Sequence, residues 1–204
     1  MKKLSLLIAL SALISCGKTD EMKHKASGSI VESVLESATG IDADTENIQN
    51  SENNKAEIEF TDDGINLNQR FQNGFGTITA TSETIAITVT GGENGQDNLL
   101  IGFTGKDLTQ NHPLKAKTNN PDGNSMSFSA VDYSNNGMDM MITYEAEGEI
   151  IHFKPEKTVI NMKGKMGYAA DAEKPEKWKQ FEGTVTLNYP VFQAIGNSKD
   201  DFTY

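Results

Sequence analysis

The hydrophobic residues of this chain change their spacing twice. Residues 4–13 form an almost unbroken apolar run, and residues 30–38 place apolar side chains at helical spacing. From residue 55 onward, apolar and polar residues alternate in short segments such as Glu57-Ile58-Glu59-Phe60. Alternation is typical of β-strands with one buried face, because successive side chains point to opposite sides. The pattern therefore predicts an N-terminal signal, one short helix and a β domain.

The alternating part of the chain, residues 55–192, predicts one antiparallel all-β domain. About ten short strands are expected there, separated by turns rich in Gly, Asn and Asp. A two-sheet β-sandwich and a barrel-like closed sheet both bury one face of each strand, and the uneven strand lengths favour the sandwich. The apolar residues of these strands, which are expected to form the core, are Ile58, Phe60, Ile65, Leu67, Ile85, Ile87, Val89, Leu99, Leu100, Ile101, Phe103, Met126, Phe128, Ala130, Met138, Met140, Ile142, Tyr144, Ile151, Phe153, Ile160, Met162, Met166, Tyr168, Phe181, Val185, Leu187, Tyr189 and Val191.

Changes in amino-acid composition predict the boundaries of the segments on either side of this domain. Residues 16–28 are polar and are expected to act as a flexible tether. Ser29 and Glu32 have the spacing of a capping box, which predicts a helix that stops at Gly40 and leads into an acidic connector, so that helix and connector occupy residues 29–54. A C-terminal tail, residues 193–204, is expected after the last strand.

The first sixteen residues have the features of an export signal. Lys2 and Lys3 precede the apolar run, which is too short to span a bilayer, and Cys16 is the only cysteine of the chain. The segment Leu13-Ile14-Ser15-Cys16 resembles the lipobox of bacterial lipoproteins. The resemblance implies removal of residues 1–15 and acylation of Cys16, with palmitate-type chains anchoring the protein to a membrane. An ordinary secretory signal with a coincidental cysteine is the alternative.

Two further segments suggest a destination. Gly17 is not the aspartate that marks inner-membrane retention in enterobacterial lipoproteins, and Lys18-Thr19-Asp20-Glu21 resembles a surface-export signal of Bacteroidetes-type bacteria. The run from Glu32 to Gly40, followed by an acidic strand, resembles small outer-membrane or surface lipoproteins of the same bacteria, a group with no assigned activity. These resemblances imply an outer-membrane anchor and leave open whether the domain faces the periplasm or the outside.

The net charge of the chain limits the classes of partner that it can bind. The formal net charge is −11, and Arg70 is the only arginine. Proteins bind nucleic acid largely by neutralising phosphates with clustered Lys and Arg, so nucleic acid is excluded as a partner. The same sign opposes electrostatic docking on anionic lipid, which leaves the acyl chains as the expected contact with the membrane.

No sequence motif indicates catalysis or a cofactor. The histidines, His24, His112 and His152, lack metal-ligand spacing, and the chain contains no HExxH, CxxC or GxSxG segment. We therefore expect no enzyme activity, metal or cofactor, although residues that are distant in sequence can still form a catalytic site.

An acidic segment in the connector resembles the start of a calcium loop. Asp42, Asp44 and Glu46 have the spacing of the first ligands. Asn47 occupies the position of the required glycine, however, and Asn53 replaces the final bidentate glutamate. We therefore interpret the segment as a solvated connector, with calcium binding as the alternative.

The strongest candidate for partner binding surrounds the only tryptophan. Trp178 lies among Lys174, Lys177 and Lys179, just after Pro175. An aromatic ring with cations around it at a loop tip could receive a sugar ring or an acidic protein surface. The alternative is that Trp178 closes one end of the core.

These observations predict a lipid-anchored envelope protein of the outer membrane that acts as a non-catalytic binding module. Its expected partner is another envelope protein or an extracellular ligand. Two other functions remain open: a protective protein of the inhibitor or immunity type, which blocks a toxin or protease, and a hydrolase of envelope polymers.

Overall fold

The structure is a computed structural model that describes residues 52–62, 67–91, 97–110, 112–132 and 139–204. The predicted signal peptide, the lipidation site Cys16 and the tether lie outside the described residues. So do the helix from Ser29, the calcium-like segment and all but the last three residues of the connector.

The described residues form ten strands, one short α-helix and three 3-10 turns. The 3-10 turns are Ala169–Asp171, Pro175–Lys177 and Lys199–Asp201. The helix α1 spans Leu67–Arg70. The strands are β1 Lys55–Asp62, β2 Phe75–Thr81, β3 Thr84–Gly91, β4 Asp97–Thr104, β5 Leu114–Lys117, β6 Ser125–Asp132, β7 Asp139–Lys154, β8 Lys157–Tyr168, β9 Lys179–Asn188 and β10 Val191–Ala194.

All ten strands belong to one sheet. Their order is β1-β9-β8-β7-β5-β6-β4-β3-β2-β10, with an additional pairing of β6 with β7. The neighbours are antiparallel except for β10 with β2 and a single parallel pair between β5 and β6. The prediction of a mainly antiparallel β domain is confirmed, but the strands form one open, curled sheet resembling half a barrel and not two separate layers.

The core lies on the inner side of this curl. Ile78, Ile87, Ile101 and Phe128 are direct cross-strand neighbours on β2, β3, β4 and β6, and each is at most 1% exposed. From the other half of the sheet, the rings of Phe60 and Phe181 pack on Phe128 with centroids 5.8 and 5.1 Å apart. One apolar core therefore joins both halves of the curled sheet.

The strands bend where glycine lets backbones approach closely. A Cβ atom at Gly164 would collide with the carbonyl oxygen of Glu145, and one at Gly183 would collide with that of Glu59. Because every other residue carries a Cβ, only glycine fits at these contacts between β8 and β7 and between β9 and β1.

Strand β1, the first in the sheet order, also contacts the start of β2, and we call this contact the seam. The amide of Ala56 donates to the carbonyl of Gly74 over 2.6 Å, in an isolated β-bridge. The buried side chain of Asn54 accepts from the amide of Gly76 at 2.8 Å and donates to its carbonyl at 2.9 Å. Asn54 therefore occupies the place of a neighbouring strand beside β2.

The last residues are part of the folded domain, although the sequence suggested a tail from residue 193. Strand β10 continues to Ala194, and the ring of Phe202 is fully buried against Phe153. The amide and carbonyl of Tyr204 exchange hydrogen bonds of 3.0 and 3.1 Å with Phe153. The packed domain thus includes the segment after β10 as well as the alternating strands.

Several residues expected in the core face the other way. Tyr168 and Tyr189 are each 50% exposed, and Ile151 is 44% exposed. On β7 the buried residue is Met141 and not its neighbour Met140, while Ile142 is half-buried. Bulges in the pairing of β7 with β8 shift the inward positions by one residue, which a strict two-residue period cannot anticipate.

Two strands and a helix were not anticipated. The predicted core positions include no residue of strand β2 or of the short strand β5. Leu67, expected in a strand, begins α1 and is fully buried. The side chain of Asn68 in this helix bonds both the amide and the carbonyl of Phe60, at 2.7 and 2.8 Å.

The outer side of the sheet is divided into two chemically different halves. We call the outward positions of β2, β3, β4 and β6 the hydroxyl half. These positions alternate with buried core residues and are themselves buried or half-buried. They are Phe75, Thr77, Thr79, Thr81, Thr84, Ala86, Thr88, Thr90, Asn98, Leu100, Gly102, Thr104, Ser125, Ser127, Ser129 and Val131.

We call the outward positions of β1, β5, β7, β8 and β9 the charged half. Lys and Glu alternate across its strands, with ion pairs of 2.7 Å for Lys163–Glu147 and 3.0 Å for Lys165–Glu145. An open depression of about 640 Å³ lies between its side chains. The pair with Lys163 lowers the pKa of Glu147, mainly through the hydrogen bond to the ammonium group.

Candidate functional site

The candidate site lies in the connection between β8 and β9. This connection contains two of the 3-10 turns, Ala169–Asp171 and Pro175–Lys177, and ends at Trp178. Pro175 begins the second turn, where its missing amide proton has no helical partner to lose. We define the Trp178 corner as Asp171, Lys174, Lys177 and Trp178, together with Tyr144 and Tyr168.

Asp171 holds this connection together. One of its carboxylate oxygens accepts from the ammonium groups of Lys174 at 2.9 Å and of Lys177 at 3.0 Å. Its backbone carbonyl accepts from the amide of Lys174 at 2.9 Å and from the indole N–H of Trp178 at 3.3 Å. Side chains and backbone of the loop therefore converge on one residue, which fixes the two lysines in place.

The electrostatics of the corner follow from this convergence. The hydrogen bonds from Lys174 and then Lys177 hold the pKa of Asp171 below its usual range. The same contact raises the pKa of Lys174. The lysine side chains remain about half exposed, at 51% and 52%, while the Asp171 side chain is 18% exposed. Asp171 is thus ionised at neutral pH, and both ammonium groups face water.

The indole of Trp178 stacks on the ring of Tyr144. The ring centroids are 4.3 Å apart and the planes differ by 16°. Both rings lie over Gly167, where a Cβ atom would stand only 3.2 Å from Tyr144 and 3.4 Å from Trp178. Burial raises the pKa of Tyr144, and the negative charge of Asp171 adds to this effect. The Trp178 ring therefore has one face occupied by an internal contact.

Tyr168 is the exposed aromatic residue of the corner. Its carbonyl accepts from the Tyr144 hydroxyl at 2.7 Å, which fixes its backbone, while half of the residue remains accessible to water. It directly precedes the first 3-10 turn. A half-exposed tyrosine with a fixed backbone therefore leads directly into the turn that contains Asp171.

The structure gathers most of the residues that the sequence singled out. Trp178, Lys174 and Lys177 meet around Asp171, whereas Lys179 lies exposed at the start of β9, opposite Met166 of β8. Sequence reasoning missed Tyr144 and the role of Asp171. The three-residue spacing of Asp171 and Lys174 is a signal that could have indicated their contact.

The charges around the corner are balanced. Three acidic and three basic residues lie on the connection and the first position of β9, and all except Asp171 are exposed. A strongly anionic surface would therefore meet as much repulsion as attraction. The six residues are Asp171, Glu173, Glu176, Lys174, Lys177 and Lys179.

The other chemical candidates are placed as follows. The ring of His112 packs against Tyr204 with centroids 4.1 Å apart and planes tilted by 40°, and His152 lies half-buried on β7. His24 lies outside the described residues. Within those residues, no group of three or more His, Cys, Asp or Glu side chains is arranged to hold a metal ion. In the same part of the chain, no helix is long and apolar enough to cross a membrane.

Comparison with known proteins yields no family, curated protein or solved structure that matches this chain. The proposals below therefore depend on the chain's own residues.

Proposed function

We propose that this chain is a lipid-anchored protein of the outer membrane whose β domain binds a partner without catalysis, and that the Trp178 corner makes the contact. The lipobox-like segment ending at Cys16 supports the anchor. One observation carries the binding proposal: Tyr168, which is half exposed, directly precedes the turn in which Asp171 pairs with the ammonium groups of Lys174 and Lys177. Preorganised groups lose little freedom when they meet a ligand.

The chemistry of the corner favours a sugar over an acidic protein surface. A sugar ring presents C–H groups that pack on an aromatic face and hydroxyls that both donate and accept hydrogen bonds. The corner supplies the aromatic face of Tyr168, donors on Lys174 and Lys177, and acceptors on the neighbouring carboxylates. The balance of these charges removes the attraction that an acidic partner would need.

Photo-crosslinking in intact cells tests this proposal without knowledge of the ligand. A photoreactive amino acid replaces Tyr168 in the full chain, and the matched control carries it in place of Tyr189, which is equally exposed at the opposite end of β9. We expect a defined adduct at position 168 that is sensitive to glycosidases, and none at position 189. Equal labelling at both positions, or no adduct at 168, contradicts the proposed contact.

A further inference from the structure

The hydroxyl half is unusual for a protein of this composition. Charged residues make up 23% of the chain, yet in the described strands β2, β3, β4 and β6 no position from Thr77 to Thr81, Thr84 to Thr90, Asn98 to Thr104 or Ser125 to Val131 is charged. The nearest charged residues in the described strands lie at its margin, for example Asp97 at the start of β4. Within the described strands, this face thus lacks the charges that usually keep a sheet face solvated.

The register places these neutral side chains in continuous rows. Thr77, Thr88, Leu100 and Ser129 are direct cross-strand neighbours on four strands. The next row contains Thr79, Ala86, Gly102 and Ser127, whose small side chains leave the backbone close to the surface. A second sheet could therefore approach this face closely, at the roughly 10 Å spacing of stacked sheets.

We propose that the hydroxyl half is the contact surface of a dimer in which two copies of this chain pack face to face. In a two-fold dimer the same patch meets itself, so it must be complementary to itself. Hydroxyl groups meet this condition because each one both donates and accepts hydrogen bonds. Two faces with a net charge would repel, whereas two neutral hydroxyl faces do not.

Charge also selects this surface among the alternatives. Each copy carries a net charge of −11, so two copies repel each other in most orientations. The hydroxyl half lets them meet through neutral side chains. This inference depends neither on the lipid anchor nor on the Trp178 corner.

The size of the face predicts a weak dimer. Four strands about 4.8 Å apart, each presenting about 20 Å of length, give a footprint of roughly 300 Å² per copy. Contacts that bury less than about 1,200 Å² in total are typical of transient complexes. Two copies would bury about 600 Å² in total, less than the roughly 1,000 Å² of a stable interface, so we expect a weak, reversible dimer that forms only at high protein concentration.

Sedimentation velocity over a concentration series tests the dimer. The full chain carries Cys16→Ser so that lipid does not drive association. We compare it with Thr88→Lys in the centre of the hydroxyl half and with the matched control Thr186→Lys, an outward, half-buried threonine on β9 in the charged half. Burying an unpaired ammonium should weaken the dimer at least about tenfold in Thr88→Lys and leave it intact in the control.

Salt dependence gives a second, independent measure. Raising the salt from about 50 to about 500 mM screens the repulsion between two acidic copies, so a neutral interface should become tighter. An interface made of Lys–Glu pairs would become weaker instead. If Thr88→Lys does not fold, Ser127→Lys on β6 replaces it.

Three results would overturn the proposal: a monomer at all concentrations, equal behaviour of the two lysine variants, or a dimer that salt dissociates. A monomer whose stability or binding falls only in Thr88→Lys would show that a different occupant covers the face.

Discussion

The hydroxyl half and the charged half belong to one sheet, but their strands differ in length and in regularity. Strands β2, β3, β4 and β6 have seven or eight residues, and β2 and β3 alternate between buried and half-buried positions without interruption. Strands β7, β8 and β9 have 16, 12 and 10 residues and contain bulges or close-contact glycines. Long strands must bend to follow the curl, whereas short strands need not.

The two halves also differ in the side chains that they present on the outer side of the sheet. The strands of the charged half carry Lys and Glu, which keep water on that side and discourage pairing with other chains. The strands of the hydroxyl half carry Thr and Ser, whose branched or small side chains suit a sheet without forbidding contact. The same outward alternation thus produces a solvated face in one half and a face open to packing in the other.

The largest expected effect comes from the bend of the charged half. Gly183→Ala should lower the free energy of unfolding by about 3 kcal/mol or more, because its Cβ meets backbone atoms of β1 that cannot move aside. Gly148→Ala is the control, since its Cβ meets the flexible Met126 side chain and should cost about 1 kcal/mol. Urea unfolding measures both. Equal losses would show that close backbone contact does not shape the bend.

The next effect concerns the seam, where the two halves meet. Asn54→Ala leaves the amide and carbonyl of Gly76 without their side-chain partner and should lower the free energy of unfolding by about 2 kcal/mol. The control Asn188→Ala removes only an exposed hydrogen bond of 3.3 Å to Glu57 and should change the free energy of unfolding little. Amide exchange at Gly76 should accelerate only in Asn54→Ala. An unchanged exchange rate at Gly76 would show that the Asn54 side chain does not protect this amide.

A smaller effect is expected at Tyr204. Its hydroxyl donates to the carbonyl of Ile150 and accepts from the amide of Leu114 at 2.9 Å, so it bridges β7 and β5. Tyr204→Phe should cost about 1 kcal/mol near neutral pH. Tyr189→Phe, at an exposed tyrosine, should leave stability unchanged.

The pH dependence of this effect has a definite sign. Burial raises the pKa of Tyr204 to about 12, so the folded state favours the neutral phenol. The corresponding stability is complete below pH 10 and is lost as the pH rises from about 10 to about 12. Tyr204→Phe should remove this alkaline loss from denaturation curves. An unchanged loss in the variant would assign it to another group.

The smallest effect on stability is expected from the ion pairs of the charged half. Lys163→Met should return the pKa of Glu147 upward to its usual range, because the hydrogen bond that lowers it is gone. Stability at neutral pH should not change measurably, since exposed pairs contribute little. Carboxyl NMR titration and urea unfolding provide the two readings. A large loss of stability would mean that this half is held by its charges.

The class of the fold could be predicted because alternation survives in most strands. The arrangement of the strands could not, since pairing β1 with β9 and β10 with β2 depends on contacts distant in sequence. Positions near bulges were also misassigned, as Ile151 on β7 shows, because one extra residue in that strand reverses the side chains that follow it.

The candidate site was only partly predictable for the same reason. Trp178, Lys174 and Lys177 are close in sequence, so their proximity could be anticipated. Tyr144 lies far away along the chain and stacks on Trp178 from the position where a bulge interrupts the pairing of β7 with β8. The sequence placed Tyr144 in the core, whereas the structure uses it to support the Trp178 corner.

The proposed function depends most directly on the anchor, and mass spectrometry of the mature protein from membranes tests it. We expect the N-terminal peptide to begin at Cys16 and to carry diacylglyceryl and acyl chains. Cys16→Ser should leave the protein unlipidated and release it from the membrane fraction. A native protein that retains residues 1–15, or that carries an unmodified Cys16, would contradict the account.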